Sequence, residues 1–289
     1  MKCYGCWIKK IRQKKGQRHN GLLGIFHLSE VDKATFCDIL AHCVFFSVRA
    51  VYSNLIVHNR TKQLILFDID GTLIHPGTVA RKLLDKMVEE VANLSPELQV
   101  EDVAGYTDPI ILETALKRVN FKDGFLSETI DTILSSYPAR LEKIYNDHED
   151  AHVYDDAVKL SEACKDEGWQ VGLLSGNVRK AAEIKLKRFG LWDSFELGIF
   201  GDEAPNREGL VLMAEEAALK ALDESYPHEK MVLVGDTAQD AIAARANGVR
   251  SLIVCRRPES RIAIENANPT WLVDSLDATE RIILWLKAE

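Results

Sequence analysis

The 289-residue sequence has few cysteines for its length, no overall basic excess, and no long uninterrupted apolar run. Its six cysteines, Cys3, Cys6, Cys37, Cys43, Cys164 and Cys255, are scattered too widely to read as a disulfide framework. Cys3-x-x-Cys6 has the spacing of half a zinc site or of a redox pair. No second pair follows at finger spacing and no βαβ pattern surrounds it, so two free thiols is the better reading. A net charge of −8 excludes a general nucleic-acid binder, whose footprint is a basic excess on the folded domain. No secretory signal is visible. The most apolar stretch, 37–57, is interrupted by Asp38, His42, Arg49 and Asn54 and followed by His58. Each charge at bilayer depth costs roughly 2.5–3.5 kcal/mol, so a buried or interfacial helix is expected there and not a span. Repeats and low-complexity segments are absent as well.

What is present suits a globular enzyme. The length accommodates one large α/β domain, or a core domain with a smaller partner. An apolar content of 46% and a charged content of 28% are ordinary for a chain that buries a real core. Charge is unevenly spread. Residues 1–60 hold ten Lys/Arg against three Asp/Glu, a balance of +7, and the rest of the chain carries −15. Residues 1–60 are therefore set apart as a basic N-terminal extension, disordered or accessory, with no residue in a catalytic setting. A leader, a docking segment and a misplaced start of translation are its three open origins. The expected compartment is the cytoplasm, or an organelle if the basic head is a leader.

Beyond residue 60 the pattern is that of an α/β core, over 61–78 and 152–289, with a helical insertion over 79–151. Short apolar runs, as expected for strands covered on both faces, occur at 64–67, 171–174, 197–200, 231–234 and 251–254. Helical spacing fills 157–167, 178–189, 208–222 and 237–247. Gly168, Gly190 and Gly248 follow three of these helices, where a left-handed residue closes the last turn. Strand–helix alternation predicts a parallel sheet wrapped on both sides. In the insertion, three runs repeat apolar residues every three or four positions, Leu83 to Val91, Ile110 to Val119 and Ile130 to Ile144, and Pro138 is expected to bend or start a helix.

Ligands of an open parallel sheet bind outside the carboxyl ends of its strands. The residues there are Asp68-Ile69-Asp70-Gly71-Thr72, Ser175-Gly176-Asn177, and Gly235-Asp236-Thr237 with Asp240 one turn on. Three strands thus deliver carboxylates or a hydroxyl to one rim. Gathered carboxylates repel, and their pKa values rise unless a cation neutralises them. Oxygen-only ligands favour a hard cation that keeps its waters, which means Mg²⁺. A nucleophilic carboxylate beside such an ion suits in-line displacement at phosphorus.

The run from Leu66 through Asp68-Ile69-Asp70-Gly71-Thr72 to Leu73 resembles the first motif of the haloacid dehalogenase superfamily. Ser175-Gly176-Asn177 is similar to its second motif, and Gly235-Asp236-Thr237-x-x-Asp240 to its fourth. The helical insertion lies between first and second motifs, as in the C1-cap subgroup that includes phosphoglycolate phosphatases and β-phosphoglucomutases. The resemblance implies a Rossmann-like core under a helical cap and a Mg²⁺-dependent phosphatase acting on a small phosphorylated metabolite. Asp68 would be the nucleophile and Asp70 the acid and base. Thr72, Ser175, Gly176 and Asn177 would meet the phosphate. Asp68, Asp236 and the backbone carbonyl of Asp70 would hold the metal, with Asp240 acting through water. In the cap, Gly105-Tyr106-Thr107-Asp108 resembles a stretch of phosphoglycolate phosphatase-like members, so Thr107 and Asp108 are candidate substrate contacts; Asp108 before Pro109 also reads as a helix start.

One departure stands out. The family's third motif normally supplies a lysine, and here the segment is Asp202-Glu203-Ala204-Pro205-Asn206-Arg207. Arg207 is the candidate replacement, its guanidinium fork suited to phosphate; the alternative is an exposed helix start. Lys180, Lys185 and Lys187 are assigned to a solvated helix face, and His75 to the linker into the cap. A phosphomutase of the same subgroup and a non-catalytic regulator on the same fold remain the rival functions, and oligomeric state is open.

Overall fold

The computed structural model describes residues 62–121 and 124–288. The readings made for residues 1–60, including the Cys3/Cys6 pair and the apolar stretch at 37–57, lie outside them. In chain order the elements are β1 (Leu64–Phe67), β2 (Ile74–His75), α1 (Val79–Ala92), α2 (Val100–Val103), α3 (Asp108–Arg118) and α4 (Leu126–Tyr145). There follow β3 (His152–Val153), α5 (Asp155–Asp166), β4 (Gln170–Ser175), α6 (Arg179–Lys187), β5 (Leu197–Phe200), α7 (Arg207–Leu212) and α8 (Ala214–Leu222). The chain continues through β6 (Met231–Gly235), α9 (Ala238–Ala246), β7 (Arg250–Val254), α10 (Arg261–Asn266), β8 (Trp271–Val273) and α11 (Thr279–Lys287).

Six strands form one sheet in the order β5-β4-β1-β6-β7-β8, and every pairing in it is parallel. Successive side chains of a strand point to opposite faces, and β1 shows why its four apolar residues are all needed. Ile65 and Phe67 enter a core with Val171, Leu173, Val232 and Val234, under Leu160 of α5, Leu186 of α6 and Ile282 of α11. Leu64 and Leu66 enter a second core on the other face with Leu197, Ile199 and Leu233, covered by Leu210, Ala214, Ala218, Ala243 and Ala244 of α7, α8 and α9. The result is a three-layer α/β domain with β1 at its centre and the carboxyl ends of β1, β4 and β6 side by side.

The chain leaves this core after β1 and returns before β4, and the two crossings pair as the antiparallel ribbon of β2 and β3. Between them α1 to α4 build their own apolar core from Leu84, Met87, Val88, Leu112, Leu116, Ile133, Tyr137 and Leu141, extended by Val178 and Ala181 of the core. The sheet, the parallel order and the helical insert are as the sequence predicts. Three details differ. Pro138 lies inside a continuous α4, where the buried stripe of Ile133, Tyr137, Leu141 and Tyr145 offsets the hydrogen bond that proline cannot donate. The predicted helix over 208–222 is divided at Met213. Strand β8 was not expected, because Trp271-Leu272-Val273 is an apolar run of only three residues, half-buried at the sheet edge.

Candidate active site

Asp68 is the first residue after β1, Ser175 the last of β4, and Asp236 the first after β6, so register alone brings them to one rim. The backbone turns at once after Asp70. Leu73 and Ile74 both donate N–H to the Ile69 carbonyl at 3.0 Å, and Gly71 donates to the Ile74 carbonyl at 2.7 Å. Gly71 has φ +88°, and a Cβ there would stand 2.2 Å from Asp236 Oδ2, so the loop admits only glycine. Arg256, following β7, clamps the same loop from outside. Its Nη1 donates to Asp156 Oδ2 at 2.8 Å, its Nε to the Gly71 carbonyl at 3.3 Å, and its guanidinium lies 4.0 Å from the centre of the Tyr154 ring.

The carboxylates of Asp68, Asp236 and Asp240 each present an oxygen within 4.8 Å of the others, and all three are buried. Burial pushes the Asp68 carboxyl up to about 6, with Arg207 pulling it down and Asp240 and Asp70 adding to the rise. Asp236 is held well above the ordinary carboxylate range by burial, then by Asp240 and Asp68. Its Oδ1 is buried with no hydrogen-bond partner among the described residues. A partnerless buried oxygen beside two further carboxylates is what a hard divalent cation would satisfy, so the donor set fits such an ion.

Two cations enter the cluster. Arg207 is 5% exposed; its Nη2 lies 3.0 Å from Asp68 Oδ1 and bonds Asp240 Oδ1, while Nη1 donates to the Gly105 carbonyl at 3.3 Å. Burial works against the guanidinium charge, but Asp240 and Asp68 outweigh it and raise its pKa. Asp240 is fixed in turn by Thr237, whose N–H and hydroxyl donate to Oδ2 at 3.0 and 2.6 Å. So Arg207, although the first residue of α7, is not the exposed helix start that was its alternative. The second cation corrects the assignment made from sequence. Lys185 is 2% exposed, not solvated, and its ammonium bonds Asp70 Oδ2 and donates to Asn177 Oδ1 at 2.6 Å. Lys180 and Lys187 do lie on the exposed face, each paired with Glu183. Position 185 falls four residues after buried Ala181 and three after buried Ala182, so it sits on the inward stripe of α6. That spacing was the available signal, and it was missed.

Asn177 joins the two motifs. Its Nδ2 donates to Asp70 Oδ2 at 3.1 Å and to Ser175 Oγ at 2.9 Å. Thr72 is fully buried and its hydroxyl has no partner among the described residues.

The cap closes over this floor through residues 105–108. Asp108 N–H donates to the Gly176 carbonyl at 2.8 Å, and Val178 N–H donates to Asp108 Oδ2 at 2.8 Å. A Cβ on Gly176 would lie 2.1 Å from the Tyr106 carbonyl oxygen, so the approach of cap to core requires glycine there. Burial pushes Asp108 up to about 6, with Lys185 and the Val178 N–H opposing. Asp108 is both the first residue of α3 and a lining residue of the cavity beneath the cap. Thr107 does not line it: fully buried, it packs against Gly201 in the joint itself, its Cβ 3.3 Å from where a Gly201 Cβ would be. His75 sits in β2, its ring stacked on that of His152 with centroids 4.9 Å apart, in keeping with a linker position.

Parallel strands that gather carboxylates at one rim, beneath an inserted helical cap, define an α/β protein with a site of a recognisable kind. The family model for haloacid dehalogenase-like hydrolases matches residues 62–248, and the chain belongs to that family. A phosphoglycolate phosphatase of Cereibacter sphaeroides is 27% identical over 194 residues, 64% of this chain and 82% of that protein. Pyrophosphatase PpaX of Bacillus anthracis is 24% identical over 219 residues, 73% of this chain and 92% of that protein. Among solved structures, a predicted phosphatase from Clostridium acetobutylicum superposes with a TM-score of 0.59 at 21% identity, covering 78% of this chain and 99% of that one. CbbY from Rhodobacter sphaeroides, solved in complex with phosphate, gives 0.56 at 17% identity, with 75% and 95% covered.

Proposed function

We propose that the chain is a phosphatase that hydrolyses a small organic phosphomonoester through an aspartyl-phosphate intermediate on Asp68. The observation that carries this reading is the arrangement of two carboxylates two residues apart on one loop, each with its own cation: Asp68 beside Arg207, and Asp70 beside Lys185. A buried carboxylate paired with a guanidinium is oriented for attack and has part of the cost of its charge offset, which a nucleophile requires. In the first half-reaction an Asp68 carboxylate oxygen bonds phosphorus, the P–O bond to the leaving group breaks, and Asp70 gives its proton to the departing oxygen. In the second, Asp70 takes a proton from water as the water oxygen attacks phosphorus, and the aspartyl–phosphate bond breaks to regenerate Asp68. Lys185 and Asn177 hold Asp70 in place, while Ser175 and the amides of Gly176 and Asn177 supply donors for phosphate oxygens.

The metal would be Mg²⁺, held by Asp68, Asp236 and the Asp70 carbonyl with Asp240 behind, and when bound it would neutralise charge developing on the phosphoryl oxygens. Names of relatives that include phosphoglycolate phosphatase and pyrophosphatase support phosphate transfer to water over transfer to a sugar. Among the described residues no helix is long and apolar enough to cross a membrane. The free buried thiols of Cys164 and Cys255 are in keeping with a reducing compartment such as the cytoplasm. The test is release of inorganic phosphate from a panel of phosphomonoesters with Mg²⁺, using wild type and Asp68→Asn. Turnover by wild type that the variant loses is expected; equal rates for the two would overturn the assignment of Asp68.

A further inference from the structure

The cavity beneath the closed cap is larger than phosphate chemistry needs. It holds about 360 Å³, on the order of twelve water volumes, which places it in the range of pockets that take a ring-containing ligand. Residues 105–108 are already docked on Gly176 and Val178, so this is the space that metal, phosphoryl group and leaving group share once the cap has closed. Carboxylates, Ser175, Asn177, Lys185 and Arg207 form its floor. The wall facing them comes from the cap: Leu84 of α1, Val103 of α2, Ile111 of α3, Tyr137 of α4 and the preceding Tyr106. Leu84, Ile111 and Tyr137 are 2%, 4% and 1% exposed and pack in the cap core, so each is rigidly held and turns an edge to the cavity, beside Val103 and Tyr106.

Two of the charged side chains at the mouth are already engaged: Arg256 is saturated by Asp156 and Arg81 donates to the Leu98 carbonyl, while Arg257 has a 3.6 Å contact with exposed Glu101. A second anionic group on the substrate, such as the carboxylate of a two-carbon acid, would have to compete for them. One polar group on the wall is uncommitted: the Tyr137 hydroxyl has no hydrogen-bond partner among the described residues, although the side chain is almost wholly buried. A buried phenol left without a partner waits for one from the ligand.

We propose that the leaving group of the substrate is a ring-sized, largely apolar alcohol of the benzyl type, carrying one hydrogen-bond acceptor that faces Tyr137. This rests on the phosphatase reading and specifies its substrate class. The cap wall takes the ring out of water, and the apolar contact is worth far more for a ring than for a methyl group, since even one methylene in a fitted pocket changes kcat/KM by about tenfold or more.

The test uses the full chain with Mg²⁺ and compares benzyl phosphate, ethyl phosphate, the three pyridylmethyl phosphates, phosphoglycolate and pyrophosphate. Benzyl and ethyl phosphate both leave as unactivated alcohols, so their ratio reads the pocket. We expect kcat/KM for benzyl phosphate at least tenfold above that for ethyl phosphate and for phosphoglycolate. Leu84→Trp, which fills the wall, should lower the benzyl-to-ethyl ratio of kcat/KM tenfold or more, and an unchanged ratio would overturn the proposal; Ile111→Phe is the second variant if the first does not fold. Tyr137→Phe should lower kcat/KM for one pyridylmethyl isomer relative to that for benzyl phosphate. Benzyl and ethyl phosphate turned over equally, or phosphoglycolate preferred, would overturn the proposal while leaving the phosphatase intact; no isomer responding to Tyr137→Phe would overturn the part given to the hydroxyl. If no compound releases phosphate, the phosphatase reading itself fails. Calorimetric binding of benzylphosphonate against ethylphosphonate then still reads the pocket, and equal affinities would overturn the apolar wall as well.

Discussion

Replacing Lys185 by methionine separates a cation that serves catalysis from one that serves only the fold. The ammonium is buried between Asp70 Oδ2 and Asn177 Oδ1, in a site where Asp70 keeps 29% of its side chain exposed. Methionine fills similar space and removes the charge. Removing one partner of a buried pair costs about 3–5 kcal/mol when the other is left wholly uncompensated. Here Asp70 keeps the Asn177 amide at 3.1 Å and some contact with solvent, so a loss of about 2–3 kcal/mol is expected. Taken from the transition state, that is a fall in kcat/KM of roughly thirty- to one-hundred-and-fifty-fold.

Leaving-group dependence tells the two roles apart. Departure of an alkoxide needs a proton from Asp70, whereas 4-nitrophenolate leaves with little help. If Lys185 holds Asp70 for proton transfer, Lys185→Met should slow an alkyl phosphate at least tenfold more than 4-nitrophenyl phosphate, mostly in kcat. Lys185→Arg should restore part of the rate if the pocket accepts its length. The assay is steady-state phosphate release on both esters, with melting temperatures for each variant. An equal, small effect on the two esters together with a lowered melting temperature would refute the reasoning and make Lys185 a structural ion pair.

Asp68→Asn should abolish turnover and leave the melting temperature unchanged or higher, because it removes a carboxylate that burial already disfavours as an anion; a variant with more than a small fraction of wild-type rate would refute this. EDTA should stop phosphate release and Mg²⁺ restore it, with metal content checked by elemental analysis. Arg207→Ala should lower kcat/KM about a hundredfold, with partial recovery in Arg207→Lys, since a desolvated charge-assisted contact is worth roughly 1.5–3 kcal/mol; the check is the same phosphate assay. Stability of the metal-free protein should fall as pH rises from 4 to 6. Asp68 and Asp108 both titrate near 6 when folded against 3.8 as ordinary carboxyls, so over that window the folded state binds more protons than the unfolded one. The full difference corresponds to about 3 kcal/mol per group, and Mg²⁺ should offset it at pH 7 for Asp68 but not for Asp108; a melting temperature that rises through this window would refute the assignment.

The carboxylates of the site were legible in the sequence and its cations were only half so, for a physical reason. A carboxylate side chain is short, so it must be carried by backbone that is itself at the site. Asp68, Asp70, Asp236 and Asp240 therefore sit within a turn of a strand end, and strand ends can be read from apolar runs of four or five residues. Lysine and arginine reach much further and arrive from elements whose own register is set by other packing. Arg207 lies 33 residues from Asp240 along the chain, and Lys185 lies 115 from Asp70. Arg207 could be proposed because it stands where the family places a cation. Lys185 was misassigned because a lysine in a run with Lys180 and Lys187 looks like a solvated face until its place on the Ala181–Ala182–Leu186 stripe is weighed. The cap is the extreme case. Its helices follow from periodicity, but which apolar residues line the cavity and which merely fill the cap core depends on how α1, α3 and α4 dock. Leu84, Ile111 and Tyr137 line the cavity while Val88, Leu112 and Leu141 of the same three helices do not. A one-residue step along a helix turns a side chain through about 100°, so the choice between substrate wall and cap core rests on a rotation that no composition or spacing records.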